Sequence, residues 1–562
     1  MIYFVSNQTE MYQFDEFTSI TPKESLDIIK LWKCIQFDTE TLGRDQHVGK
    51  LLLMQFGNED KSIQIVVDAS TIDPLLYKEV LETKLILGQN LKFDLQWLYN
   101  YKIVPLQVYD TMIVEQLLYL GYPPYPKPGG VSYSLAAIAE RYCHISIDKS
   151  IRGQIIWRGI DAEVIKYAAN DVVYLYDIAK AQLQQAKKVG STKAVKVECG
   201  FVPVIAYLEW CGIKLDVDVW KEKMRQDETK RDEMLKELNI FLVSYYREHN
   251  GKENTISKGY VVDSNKDKEW YKKIPKANPA SAPYIKDKIW MQDYSVPFYH
   301  TAKNDKSAKA KISYFININL EGDLFSGFNA EPQSIINWAS SDQVVSFLKI
   351  LGFNTTMQDK DTGEDKESAL EKHIKVQKGI NDEFLDIYFK YKEADKVCTT
   401  YGQSYINAIN PNTGRIHTTF KQLGCASGRM SCGNKQENQD LKKLKALELI
   451  KIKNTKLRKC GYPQLQNLPS DKLTRSAFVS EKGNLMTSCD YSALESRLGA
   501  DIYNEQSMID EYLHGSGDIH SLVAKACFPD ILKDVPVADV HKLYPKLRSR
   551  AKPVEFSQQF EN

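Results

Sequence analysis

Three short runs between Cys34 and Ser70, CIQFDTET, LLLMQFG and SIQIVVDAS, are seven to nine residues long and dense in bulky β-forming side chains. That length and content predict strands. Downstream, SYSLAAIAERYCHI and AEVIKYAANDVVYLYDIAKAQLQQAKK repeat their apolar residues at helical spacing. Strands followed by helices confine this part of the chain to a mixed α/β domain that ends near Val189–Gly190.

Residues 200–250 read as wholly helical, with Trp220, Met224, Arg231, Leu235, Leu238 and Leu242 on or near one face. The texture then changes. Lys252 to Lys311 holds 13 lysines against 7 acids and four prolines, with Trp270, Tyr271, Tyr284, Trp290, Tyr294, Phe298 and Tyr299 interleaved. This is an inserted subdomain or a loop-rich flap. Helices resume in DQVVSFLKILG and in ALEKHIKVQKGINDEFLDIYFKYKEADKVCTTY. A second basic segment, Gly433 to Cys460, has nine Lys/Arg against three acids. It reads as a solvated amphipathic helix or a phosphate-contacting arm, and both basic segments are expected to help hold duplex or single strands.

Composition narrows the classes. At about 150 residues per domain, 562 residues suggest three or four domains. With 43% hydrophobic and 26% charged residues the chain is expected to pack as a soluble protein. No apolar run approaches the ~20 residues of a membrane span. The start, MIYFVSNQTEMYQFDEF, lacks the basic flank and apolar stretch of a secretory signal. A cytoplasmic protein with no membrane association is expected. The net charge of +1 does not announce a nucleic-acid partner, so any positive surface must be local. Ten scattered cysteines with no CxxC pair suit a reducing compartment, and Cys425, Cys432 and Cys460 are poorly spaced for zinc.

Asp38 and Glu40 end the run CIQFDTET, and residues two apart in a strand point the same way. Asp94 lies in GQNLKFDLQWL. Asp171 lies in YAANDVVYLYDI with Tyr167 four residues earlier, on the same helical face. Four gathered carboxylates repel unless cations neutralise them. Two Mg²⁺ or Mn²⁺ ions about 4 Å apart, held by hard oxygen ligands, would do so and would support phosphodiester hydrolysis, with Tyr167 positioning the attacking water.

DTET, NLKFD and YAAND, in that order, resemble the three signature motifs of the DEDD 3′–5′ exonucleases, in the branch with a tyrosine in its third motif. VYDTMIVEQLL and SYSLAAIAERYCHISIDKS are similar to that family's intervening segments. The resemblance spans about residues 25–190. It implies a ribonuclease-H-like mixed sheet with helices, an active site of Asp38, Glu40, Asp94, Tyr167 and Asp171, and a single-stranded 3′ end as substrate.

The second half resembles A-family DNA polymerases. NPNTGRIHTTFKQLGCASGRMS and YPQLQNLPSD are similar to the template–primer-binding stretch, which implies that Arg429 reaches the primer duplex and that Gln466 and Asn467 sit near the minor groove, reading acceptors shared by every base pair. In LMTSCDYSALESRLGADIYNE an apolar strand is expected to deliver Asp490 at its end. DYSALESR looks like the first palm motif. The resemblance implies that Asp490 and the Tyr491 carbonyl bind the catalytic ions, that Glu495 rejects a ribose 2′-hydroxyl, and that Arg497 braces the site. His520 in GDIHSLVAKACF matches a position near the incoming triphosphate. LRSRAKPVEFSQQFEN resembles the fingers helix, where Arg548, Lys552, Phe556 and Phe560 recur every four residues and form one stripe for the dNTP. Pro553 inside this helix is expected to kink it, and Glu561 stands where a glycine is usual.

The leading expectation is therefore the N-terminal portion of a bacteriophage-like A-family replicative polymerase with a proofreading exonuclease. It is a multidomain α/β chain: an exonuclease domain over 1–192, a helical thumb over 193–400 with an insertion at about 250–330, a partial palm over 401–515 with the insertion 433–460, and partial fingers over 516–562. No second palm aspartate motif follows Asp490. Polymerisation is expected to need a C-terminal fragment carrying it, through a split or interrupted gene. DNA primer–template and dNTPs are the expected partners, with a processivity factor alongside them. The alternatives are a stand-alone DEDD exonuclease and a non-catalytic DNA-binding remnant.

Overall fold

The computed structural model describes residues 1–8, 16–123, 129–147, 159–250, 295–298, 314–317, 338–339, 341–358, 363–377, 379–433 and 463–560. Most of the segment Lys252–Lys311 and nearly all of Gly433–Cys460 lie outside them, as does Cys460 of the cysteine trio. The chain divides into two compact units, Met1–Ser480 and Glu481–Asn562.

The first unit opens with β1 (Ile2–Val5), β2 (Thr18–Ser19), α1 (Pro22–Lys30), β3 (Cys34–Leu42), β4 (Lys50–Gly57), β5 (Gln64–Asp68), α2 (Lys78–Thr83), β6 (Leu85–Gly88), α3 (Leu91–Tyr99), β7 (Val108–Asp110) and α4 (Thr111–Leu118). It continues with α5 (Leu135–Cys143), α6 (Ala162–Asp171), α7 (Leu175–Lys188) and the long α8 (Thr192–Cys211). The seven strands form one mixed sheet in the order β2-β1-β5-β4-β3-β6-β7. β3 lies antiparallel to β4 and parallel to β6, with a register shift between Glu40 and Thr41.

Both faces of this sheet are buried, because alternate residues of each strand serve different cores. Ile35 and Phe37 of β3, Met54 and Phe56 of β4, and Ile65 and Val67 of β5 pack with Leu91, Leu95 and Leu98 of α3. Phe4, Leu53 and Val66, from the intervening positions, pack with Val164, Ile165, Ala168 and Ala169 of α6. A third core joins Leu87 and Tyr109 to α4, α5 and α7. The mixed α/β expectation is met: helices cover a mixed sheet.

After α8 come β8 (Ile213–Leu215) and α9 (Val217–Asn250). The predicted stripe on α9 buries Trp220, Leu238 and Leu242, the last two against Trp338, Phe347, Phe384 and Tyr388. The strands Ser295–Phe298 (β9) and Tyr314–Asn317 (β10) pair antiparallel. They precede α10 (Ser341–Ile350), the pair β11 (Thr356–Gln358) and β12 (Asp365–Glu367), α11 (Glu371–Ile374), α12 (Asp382–Thr400) and α13 (Gln403–Asn407). The unit closes with β13 (Arg415–Ile416), β14 (Phe420–Lys421), β15 (Ser431–Cys432), α14 (Lys472–Ser476) and β16 (Phe478–Val479). β13, β8 and β16 form a small antiparallel sheet over Trp220, Tyr401 and Tyr405. Gly212, at φ 59, makes the turn from α8 into β8, and a Cβ there would lie 2.7 Å from the Ile416 carbonyl oxygen.

The second unit is helical where it is regular: α15 (Leu494–Ile502), α16 (Gln506–His514), α17 (Ile519–Cys527), α18 (Pro529–Leu532), α19 (Val537–Leu543) and α20 (Pro545–Phe560). Pro553 lies inside α20, which continues on both sides of it. Among the described residues, no helix is long and apolar enough to cross a membrane.

Candidate active site

β3 carries the carboxylates because its alternation leaves one face for them. Ile35, Phe37 and Thr39 point towards α3, whereas Gln36, Asp38 and Glu40 point towards α6. α6 ends on Asp171, and the first turn of α7 is fastened to the same strand: the Tyr176 backbone N–H donates to Gln36 Oε1 at 2.7 Å. Val172 packs close to Gly57 of β4. Each of Asp38, Glu40 and Asp171 offers a carboxylate oxygen within 4.8 Å of the others. Asp171 is buried and the other two are half-buried. Tyr167, one helical turn before Asp171, is buried as well.

Asp94 lies on the other side of β3, outside the group of three. Its Oδ1 accepts from Thr39 Oγ1 at 2.5 Å, and its side chain is buried. Burial pushes its pKa well above the usual carboxylate range, with the negative charges of Asp110 and Glu40 adding to the effect and the Thr39 bond opposing it. The structure therefore gathers three of the four predicted carboxylates. It anchors the fourth on the threonine between Asp38 and Glu40. Oxygen donors at this spacing fit a hard divalent cation.

Two residues behind this arrangement were not singled out from the sequence. Gln36 is one. Asp110, the last residue of β7, is the other. Fully buried, it accepts from the backbone N–H groups of Asn90 (3.0 Å), Leu91 (2.7 Å), Met112 (2.9 Å) and Ile113 (3.3 Å). Asn90, the N-cap of α3, is left-handed at φ 61 and gives that helix no side-chain cap. Asp110 thus caps both α3 and its own helix α4. Its pKa is pushed up to about 6 by burial, against the pull of these N–H groups. The segment VYDTMIVEQLL contains this aspartate, but nothing local to it reveals the contact with α3.

The predicted duplex-binding residues are near one another. β14 and β15 pair antiparallel, and exposed Arg429 lies on the turn between them. Gln466 Nε2 donates to the Met430 carbonyl at 3.2 Å, beside Arg429. Exposed Asn467 is held through its backbone, whose carbonyl accepts from the Tyr401 hydroxyl at 2.5 Å.

In the second unit the strand expected before Asp490 is absent. Residues 484–491 have no regular structure, Leu485 is 92% exposed, and Asp490 and Tyr491 are exposed with it. A strand needs a partner to satisfy its backbone groups, and the described residues of this unit contain none. Glu495 lies in the first turn of α15. Arg497 donates to the Ser492 carbonyl at 3.0 Å and sits 4.2 Å over the Tyr512 ring. His520 is half-buried on α17. Arg548 is engaged by Asp518, with Nε and Nη2 each at 2.9 Å from its carboxylate. Lys552 follows one turn later, half-buried. The backbone positions of Phe556 and Phe560 fall on α20, and their side chains lie outside the described set.

Comparison with known proteins adds independent findings. The family described as 3′–5′ exonuclease matches residues 17–186, and DNA polymerase family A matches residues 328–560. DNA polymerase I of Aquifex aeolicus is 23% identical over 87% of this chain and 63% of its own length. That of Borreliella burgdorferi is 24% identical over 96% of this chain and 47% of its own. That of Caldicellulosiruptor bescii is 33% identical over 31% of this chain and 17% of its own. The chain thus spans less than two thirds of each of these relatives. The polymerase domain of Pol1 from M. smegmatis, solved with DNA primer–template and dNTP, has a similar fold, with a TM-score of 0.57 at 16% identity over 99% of this chain and 71% of that one. Two family matches in the expected order, the first enclosing a sheet that gathers three of the four expected acids, show a 3′–5′ exonuclease domain followed by a DNA polymerase family A domain.

Proposed function

We propose that the chain removes nucleotides from the 3′ end of a DNA strand at the Asp38–Glu40–Asp171 cluster and forms part of a DNA-polymerising enzyme. The observation that carries this reading is the convergence of three carboxylate oxygens within 4.8 Å at the end of α6. Asp38, Glu40 and Asp171, with Asp94 on the Thr39 side, would hold two Mg²⁺ or Mn²⁺ ions. Bound divalent cations supply an activated water and neutralise charge on the leaving oxygen. Tyr167 orients the attacking water, and the α3 and α6 cores hold the acids in place with no reorganisation.

In the same reading the exonuclease domain covers 1–192, the thumb 193–400, the palm 401–515 and the fingers 516–562. Arg429, Gln466, Asn467 and Arg497 hold the primer–template. Asp490 and the Tyr491 carbonyl take the polymerase ions, and Glu495, His520, Arg548, Lys552, Phe556 and Phe560 receive the dNTP. A processivity factor and a cytoplasmic setting, that of a host cell if the gene is a phage's, complete the proposal.

The test is incubation of the purified chain with a 5′-labelled oligonucleotide and Mg²⁺ or Mn²⁺. Shortening from the 3′ end is expected, abolished by EDTA and reduced at least a hundredfold in Asp38→Ala. Intact substrate with folded protein would refute the exonuclease reading.

A further inference from the structure

The geometry points to Glu209 as a positioning residue that ties the editing helix α3 to the primer-side hairpin β14–β15. Glu209 lies on α8, outside every motif that carries the function, and its side chain is 7% exposed. Its carboxylate accepts from Lys92 Nζ at 2.7 Å, Gln96 Nε2 at 2.8 Å and the Phe420 backbone N–H at 2.5 Å. Lys92 Nζ also donates to the Phe420 carbonyl at 2.7 Å. One ion pair therefore grips both polar groups of a single residue of β14.

The other end of this arrangement is the site itself. Lys92 and Gln96 are one helical turn apart and bracket Asp94, whose side chain emerges roughly opposite them and meets Thr39. The clamp and the carboxylate are on two sides of one short helix. Fastening along α8 extends beyond this contact: His417 Nδ1 meets the Glu209 carbonyl oxygen at 2.9 Å, and Gln422 Nε2 meets Glu198 Oε2 at 2.5 Å. A buried ion pair adds little net stability compared with an apolar replacement, but removing one partner leaves an uncompensated charge. What it does supply is register. A shift of the hairpin on engaging duplex, or loss of the clamp, is transmitted to α3 and so to Asp94.

This inference rests on the exonuclease reading, and its test separates the two. Steady-state hydrolysis of a labelled single-stranded oligonucleotide is measured for the full chain, Glu209→Gln, Glu209→Ala, Lys92→Met and the double variant Lys92→Met/Glu209→Ala, with thermal melting of each. Glu209→Ala is expected to lower kcat about tenfold with KM within twofold, because misplacement of about 1 Å costs up to a hundredfold. Glu209→Gln, which keeps the acceptor for the Phe420 N–H, is expected to recover kcat to within about threefold. The double variant is expected to lose no more than the worse single one. A folded Glu209→Ala with kcat within twofold of the unaltered chain overturns the inference, as does Glu209→Gln losing as much as Glu209→Ala. Should Glu209→Ala fail to fold, Lys92→Met decides, and an unchanged kcat there overturns it. An unaltered chain without hydrolysis overturns the exonuclease reading itself.

Discussion

Replacing Asp110 by alanine removes the acceptor for four backbone N–H groups at the starts of α3 and α4. The loss of a side-chain cap costs about 1 kcal/mol per helix. The negative charge near two buried helix N-termini adds up to ~2 kcal/mol more, so Asp110→Ala is expected to destabilise by about 2–4 kcal/mol. Asp110→Ser separates the two helices. A serine hydroxyl caps its own helix, α4, yet is too short to reach Asn90 and Leu91, so it should recover about half of the loss. Urea unfolding of the full chain, followed by tryptophan fluorescence, measures both variants; Trp97 on α3 is a buried reporter. Because α3 loses its only side-chain cap, exonuclease turnover should fall in both variants as well. An Asp110→Ala loss under about 0.5 kcal/mol, or a serine variant no better than alanine, would refute the shared-cap argument.

Two further outcomes follow from charge. His47 packs against His417 with ring centroids 4.1 Å apart and the rings tilted by 41°, its Nε2 has no hydrogen-bond partner, and burial lowers its pKa to about 4. A histidine held neutral contributes stability above its unfolded value of about 6.5 that is lost as pH falls towards 4. Unfolding free energy should drop by about 1–2 kcal/mol across that window after allowance for partial exposure, and His47→Gln should flatten the profile. Asp518 pairs with Arg548, and under the proposed role of Arg548 it would compete with the triphosphate for that guanidinium. Asp518→Asn keeps the cap of α17 and weakens the pair by about 1 kcal/mol, so dNTP affinity measured by equilibrium binding should rise about fivefold.

The parts of the site legible from sequence are those set by local periodicity. Asp38 and Glu40 share a face because strands alternate, and Tyr167 and Asp171 share one because helices repeat at four. Asp94 was identifiable as a candidate, but its bond to Thr39 was not, because adjacent residues of β3 serve opposite layers. Asp110 and Glu209 escaped for a related reason: their partners lie 19–20 and 113–211 residues away along the chain. Propensity misled at Leu485–Cys489, where apolar, β-forming side chains promised a strand that only a neighbouring strand can create. For Arg548 the chemistry was foreseeable, while its engagement by Asp518 depends on helices α17 and α20 meeting.

The alternation along β3 has one more consequence. Its side chains alternate between the α3 core and the polar layer of Gln36, Asp38 and Glu40, so slippage by a single residue would turn Phe37 into the proposed catalytic layer and drive Asp38 into the apolar core. The strand cannot misalign and keep a workable but sloppier nuclease. An error of pairing there is a failure to fold rather than a loosened site.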